Sequence, residues 1–367
     1  MKILFFILII LHGLIHLLGF LKAFQIREIR ELTLPISKPM GILWLLTTIL
    51  LVIYGLMYLY QSKYSWLIGL IGVVISQVLV FIFWKDAKIG TLPNLLILII
   101  ALMNWGQFRF QKMVENQTLQ IVRASNPSET QSVKEEDLKN LPEPVSRWIR
   151  QSGMLGKPYL SGAQVSQIAE MQMSPDKDQW MEATAEQYTS MNPPAFIWVV
   201  DARMNSFLNF RGRDKFEEGK GEMLIQLNSL IPIVNEKGEK LDEGSLQRFL
   251  GEMVWFPSLA LSPHVRWEPI DSHSAKATLE FQGTSGSGTF FFNKGGEVTR
   301  FSALRYRGNE TDAQRTEWIM DIQEYRTYEG IRVPSKMTST WRLDSGDWTW
   351  LKLEVTDIKY NPERIEF

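Results

Sequence analysis

The sequence predicts a two-part chain: about four apolar helices in the first third, then an α+β domain with a long curved antiparallel sheet, half-barrel-like, and one packed amphipathic helix. Three observations predict it. Residues 1–112 contain four apolar runs long enough to cross a bilayer as helices. Charge splits along the same line, with ten Lys/Arg against three Asp/Glu in residues 1–112 and 29 against 37 in the remainder. Beyond residue 160, apolar and polar residues alternate with the period of two that marks half-buried strands.

The apolar runs are Ile3–Phe20, Met40–Tyr60, Trp66–Trp84 and Leu92–Phe108. The first has a basic residue, Lys2, ahead of it, as a signal peptide would, but no small-x-small cleavage site follows and three more spans do. It reads as a retained helix. Trp44, Tyr58, Tyr60, Tyr64, Trp66, Trp84 and Trp105 fall at or near the span ends, as an aromatic belt would. Lys22, Arg27, Arg30 and Lys38 lie between spans one and two, and Lys85 and Lys88 between three and four. The bias of Lys and Arg toward cytoplasmic loops then puts both termini outside, with Arg109 and Lys112 pulling the other way. The membrane is therefore the first expected partner.

Polar residues within spans are functional candidates. His12 and His16, at i and i+4, share one helix face. They form a metal or proton site, or they bond across helices. No acid lies mid-span and two ligands are too few for a dedicated metal site, which favours bonding. Ser76, Gln77 and Asn104 read the same way, and Gly69 with Gly72 as a close helix contact. The domains expected are a transmembrane unit over 1–110, a polar linker over 111–137 and a β-rich domain over 138–367.

In that domain a short helix is expected over Pro142–Gly153, with Val145, Trp148 and Ile149 on one face. Strand-like runs follow near Gly162–Met173, Gln179–Thr189, Ala195–Asn205, Lys276–Gln282, Thr289–Asn293, Val298–Arg307, Glu317–Tyr328, Met337–Leu343 and Thr349–Tyr360. One helix interrupts them, capped by Asp242 and ended by Pro257, with Leu246, Phe249, Leu250, Met253 and Val254 at helical spacing. A curved sheet wrapped around a helix encloses an apolar cavity where the helix does not fill it.

Several chemistries are excluded. With no cysteine there is no disulfide, thiolate zinc site or Cys nucleophile. An acidic soluble part argues against nucleic acid. Gly283–Gly288 lacks a Gly-Lys-Ser/Thr ending and lies between strands, so it reads as a hairpin and not a phosphate loop. His264 and His273 have neither triad nor metal spacing. No cofactor and no metal are expected.

The candidate ligand-binding residues are Trp198, Phe249, Glu252, Met253, Trp255, Trp267, Arg305, Arg307 and Trp341. The indoles would line a greasy pocket. Arg305 and Arg307, on one strand face, either bind an anionic head group or pair with Glu317, Asp321 or Glu324 on a neighbouring strand, the latter being the simpler reading. The function expected is a membrane-anchored extracytoplasmic domain binding a lipid or other apolar ligand. The alternatives are a module docking a protein partner and a carboxylate-dependent hydrolase using Glu252, with Glu268 as a candidate second acid.

Longer stretches carry a resemblance. They are His12-Gly-Leu-Ile-His-Leu-Leu-Gly-Phe20, Trp84 with Gly90-Thr-Leu-Pro-Asn94, Pro142-Glu-Pro-Val145, and Gln187-Tyr188 with Pro193-Pro-Ala-Phe-Ile-Trp198. Leu241-Asp-Glu-Gly244, Arg248-Phe-Leu-Gly-Glu-Met-Val-Trp-Phe-Pro257, Ala303-Leu-Arg-Tyr-Arg307 and Gly330-Ile-Arg-Val-Pro334 complete the set. In these the chain resembles a family of uncharacterised bacterial membrane proteins with a domain of unknown function. The resemblance implies a bacterial source and the same two-part architecture, and no activity. The half-barrel is also similar in architecture to the lipoprotein-carrier fold of the bacterial envelope, an analogy of shape alone.

Overall fold

A computed structural model describes residues 2–125, 131–205 and 208–362. The chain divides into two compact units, Met1–Lys112 with Asn228–Leu230, and Met113–Leu227 with Ile231–Phe367.

The first unit is helical: α1 (Lys2–Ala23), α2 (Lys38–Leu59), α3 (Ser65–Ile82), a single turn α4 (Trp84–Ala87), a 3-10 turn (Lys88–Gly90) and α5 (Thr91–Ala124). Among the described residues, four segments are long and apolar enough to cross a membrane: Lys2–Ala23, Lys38–Leu59, Ser65–Ile82 and Trp84–Ala124. The fourth helix runs well past Phe108. The polar stretch after it ends the apolar run but not the helix, because Gln, Lys, Met, Glu, Leu and Arg there are good helix formers. The first part of the expected linker is therefore helical.

Small residues let the helices approach. A Cβ on Gly19 would sit 2.1 Å from the Trp44 ring, and one on Gly69 would sit 2.7 Å from the Tyr54 ring. Trp44, expected in an interfacial belt, is instead buried against α1, with its ring 5.3 Å from that of His16. The loop after α1 and the turn after α3 meet at Asp86, whose carboxylate accepts from the backbone N–H groups of Thr33 (2.6 Å) and Leu34 (2.9 Å).

The histidine pair joins a polar network inside the bundle. His12 Nε2 lies 2.8 Å from Asn94 Oδ1, and His16 Nε2 lies 2.9 Å from Ser76 Oγ. Ser76 Oγ donates to Asn94 Oδ1 (2.9 Å), and Asn94 Nδ2 to Gln77 Oε1 (3.0 Å). The network ties α1, α3 and α5 together. Its amide comes from Asn94, not from Asn104. Among the described residues no group of three or more His, Cys, Asp or Glu could hold a metal ion.

The second unit begins with a 3-10 turn (Glu135–Leu138) and α6 (Glu143–Gln151). One antiparallel sheet follows. Its strands are β1 (Gly162–Met171), β2 (Met181–Met191), β3 (Pro194–Arg203), β4 (Asn209–Glu217), β5 (Lys220–Leu227) and β6 (Ile231–Lys237), then β7 (Val265–Asp271), β8 (Ser274–Phe281), β9 (Thr284–Phe292), β10 (Val298–Tyr306), β11 (Arg315–Tyr328), β12 (Ile331–Leu343) and β13 (Gly346–Tyr360). The spatial order is β6-β5-β4-β3-β2-β1-β13-β12-β11-β10-β9-β8-β7. Every neighbour is consecutive in sequence except the central pair, where Ala163 of β1 faces Tyr360 of β13. Two meanders thus join at mid-sheet and leave β6 and β7 as the edges. Alternation builds the two faces: in β2, Met181, Ala183 and Ala185 turn inward while Glu182, Thr184 and Glu186 face solvent.

The chain between the edge strands holds α7 (Glu239–Gly251) and two 3-10 turns (Glu252–Trp255, Pro257–Leu261). The helix packs against β3–β6 on one side and β8–β10 on the other, so the sheet curls around it as a half-barrel. Leu246, Phe249, Leu250 and Met253 fill the core between helix and sheet. Burial of each such side chain contributes roughly 1.5–3 kcal/mol.

Two expectations need correction. Asp242 does not cap α7; Gly238, with φ of 136°, precedes the first turn. Asp242 is buried and accepts from the Gly221 N–H (2.7 Å) and Lys220 Nζ (2.9 Å), pinning the helix to β5. The Gly283–Gly288 stretch belongs to a hairpin, as expected, but most of it is strand and not loop. The turn lies at Gln282–Gly283, and β9 starts at Thr284. A Cβ on Gly286 would lie 2.8 Å from the Gln247 side chain on α7, and one on Gly288 would lie 2.2 Å from the Phe301 ring. The glycines clear the sheet for the helix and for Phe301.

Candidate functional site

The curled sheet and α7 leave a cavity of about 630 Å³ in the second unit. Six indoles line it: Trp198, Trp255, Trp318, Trp341, Trp348 and Trp350. Met320, Met337 and Leu353 add to the apolar wall.

The helix contributes a stripe and not its apolar face. Lys240, Gly244, Arg248 and Glu252 recur every four residues and line the cavity. Their spacing marks one helix face, but the apolar series beside it dominates the pattern. That stronger series packs on the sheet. Phe249 and Met253 are therefore core residues, the former with its ring 6.4 Å from that of Phe216. Trp267 also lies elsewhere, with its Nε1 donating to the Ala260 carbonyl (3.0 Å) and its ring against Phe290. These three do not line the cavity. The other six candidate residues do: Trp198, Glu252, Trp255, Arg305, Arg307 and Trp341.

One wall is a saturated charge network. Arg248 Nε donates to Glu252 Oε1 (2.7 Å), Nη1 to Asp214 Oδ2 (2.8 Å) and Nη2 to Gln187 Oε1 (3.1 Å). Gln187 Nε2 donates to the other Glu252 oxygen (2.6 Å). The guanidinium also lies over the rings of Trp198 (4.7 Å) and Phe196 (4.9 Å). Both oxygens of Glu252 are thus engaged in holding Arg248 and Gln187. Glu268, its possible partner, pairs with Arg266 (3.0 Å) on β7 instead. Burial raises the Asp214 carboxyl above the usual range, against the pull of Arg248, Arg213 and Arg305. Asp214 was not legible as a site residue. It occupies the inward row Phe210, Gly212, Asp214, Phe216 of β4, where a single acid breaks an otherwise small or apolar set.

Beside α7, β10 carries a different kind of arginine. Arg305 of β10 lies with its guanidinium 4.2 Å from the Trp318 ring centroid and 5.8 Å from that of Trp341. Its Nε is buried without a hydrogen-bond partner among the described residues. Burial, with Arg248 nearby, pushes its pKa down to about 9, so the charge persists at neutral pH in an environment that opposes it. Arg307 lies 5.8 Å from the Trp348 ring. The pairing expected of these two does not form. Glu317 takes Arg342 and Ser302, Asp321 takes Arg300, and Glu324 takes Lys336.

Fold and site together define a class: an apolar helical unit followed by a curled antiparallel half-barrel around an indole-lined cavity. The model of a family of unknown function, DUF6544, matches residues 131–353, and the chain belongs to that family. Among solved structures it is similar to a LolA superfamily protein from Nitrosomonas europaea, at 9% identity and a TM-score of 0.33 over 64% of this chain and 96% of that chain, a likeness too loose to bear on function. No curated protein matches the chain.

Proposed function

We propose that the protein is anchored in a membrane by its apolar helices and that its half-barrel domain holds a lipid or other apolar ligand. The observation that carries this reading is the cavity of about 630 Å³ lined by six indoles. Clefts of roughly 300–1,000 Å³ with mostly apolar walls and a few polar groups suit small ligands. The positive loops, Lys22 to Lys38 and Lys85 to Lys88, support placing the domain on the extracytoplasmic side. A cytoplasmic reporter that is active when fused after residue 362 would overturn that orientation.

The binding reading is tested on the full chain by native mass spectrometry from detergent, beside Ser339→Trp, which fills the cavity. The wild type is expected to retain an apolar mass that the variant lacks while both melt cooperatively. Identical bound masses after incubation with membrane lipids would sink the reading. They would turn attention to docking at the edge strands, where Ile231, Ile233 and Ile270 are exposed.

A further inference from the structure

We propose that the ligand of this cavity is an acidic amphiphile, a single anionic group on an aliphatic chain, and that Arg305 is the residue that seats its charge. The inference rests on the apolar-ligand reading above and narrows it.

Most arginines around the site are paired with carboxylates. Arg300 on the same strand lies 2.6 Å from Asp321, Arg315 2.7 Å from Glu243, and Arg342 2.7 Å from Glu317. On α7, Arg248 is saturated by two carboxylates and an amide. Among the described residues Arg305 and Arg307 have no carboxylate within 4.0 Å, although acids lie on the adjacent strand. Both are held over indoles. Stacking fixes where a guanidinium points and leaves its edge donors unspent. Gly244 of α7 lies beside Arg305: a Cβ there would be in ordinary contact, 3.4 Å from Nη2.

The acids that line the cavity do not supply the missing partner. Glu252 and Asp214 are bonded by Arg248, and Asp176, Glu236 and Glu310 lie beyond ion-pair distance of both guanidiniums. A half-buried, oriented and unpaired guanidinium in an apolar cavity matches a carboxylate or phosphate that can accept two parallel N–H bonds. Arg307, more exposed, stands beside it as the second cation. The indoles and methionines then cover the chain.

The test is isothermal titration of the full chain, held in amphipol, with decanoate, decyl phosphate and decanol. The wild type is expected to bind at least one anion tenfold or more tighter than decanol, and the better anion tells carboxylate from phosphate. Arg305→Met should erase that preference while still binding decanol. Arg326→Met, whose partner Glu354 lies outside the cavity, should retain it. Equal binding of all three compounds by the wild type overturns this inference and leaves the apolar pocket standing. A preference that survives in Arg305→Met also overturns it. Binding of none of the three removes the pocket reading itself.

Discussion

Arg248 of α7 and Glu252, the first residue of the 3-10 turn after it, lie four residues apart with Nε 2.7 Å from Oε1, and the pair lines the cavity while the residues between them pack in the core. The face that meets the cavity is therefore a polar one. Arg248 compensates both Glu252 and Asp214. Arg305 adds to the electrostatic pull on Asp214 but pairs with neither acid.

This contrast predicts opposite outcomes for two similar substitutions. Arg248→Met strands two largely buried carboxylates, and breaking a buried pair this way costs about 3–5 kcal/mol. Denaturant unfolding of the full chain should show that loss, or the variant should fail to fold.

Arg305→Met removes a charge that has no ion pair and substitutes a side chain suited to an indole-lined wall. It should leave stability unchanged or raise it by about 1 kcal/mol, as removal of an uncompensated site residue often does. A fall of several kcal/mol in the same unfolding experiment would show that Arg305 is structural.

Asp214 should give the fold a pH signature. Burial raises its carboxyl pKa in the folded state. The unfolded chain therefore releases this proton first as pH rises from about 4. The contribution is fully present below the unfolded value and is lost as pH climbs through the raised folded value. Asp214→Asn keeps an acceptor for Arg248 and abolishes the titration. Melting curves at pH 5 and pH 8 should show the wild type losing more stability than the variant over that interval; parallel losses would contradict the assignment.

Gly288 is a packing requirement. A Cβ there would overlap the Phe301 ring at 2.2 Å, so even Gly288→Ala must displace a core aromatic. Overpacking of this kind costs about 1–3 kcal/mol, measurable by denaturant unfolding. Gly283→Ala, where no atom lies within 4 Å, should cost less, although its φ of 81° also favours glycine.

Asn94 is the junction of the polar network within the helices. Asn94→Leu should cost about 0.6–2 kcal/mol, the range for interhelical hydrogen bonds, and leave a buried histidine pair short of a partner. Unfolding in mixed micelles checks this. Full tolerance of the substitution would mean that Ser76 alone holds both rings.

Much of this architecture was legible. Spans and strands announce themselves by period, and the runs around β1–β3 and β8–β13 do so plainly. The strands that do not announce themselves, β4 to β7, include one whose inward row is broken by an acid and the two edge strands. In β4 the inward position is Asp214. In β6, Ile231 and Ile233 lie exposed on an edge strand, so there is no buried face to impose alternation. On α7 the apolar series marks a helix, but Phe249 and Met253 of that series pack in the core and do not line the cavity. Hydrophobicity reports burial, and the deepest positions of this domain belong to its core and not to its cavity. Gln187 and Asp214 went unseen as site residues because their roles exist only through Arg248, from a distant part of the chain.

The pairing of β1 with β13 joins residues about two hundred positions apart and is the seam between the two meanders. Each meander can zip from local hairpins as it is synthesised, but β13 emerges after all its neighbours. Until it does, β1 has one open side and the first meander ends in an unpaired edge. Half-made chains are therefore exposed to edge-to-edge association for longer than finished ones. Translation speed through the final third of the chain, more than the stability of the finished fold, should govern how much of this protein is recovered from cells.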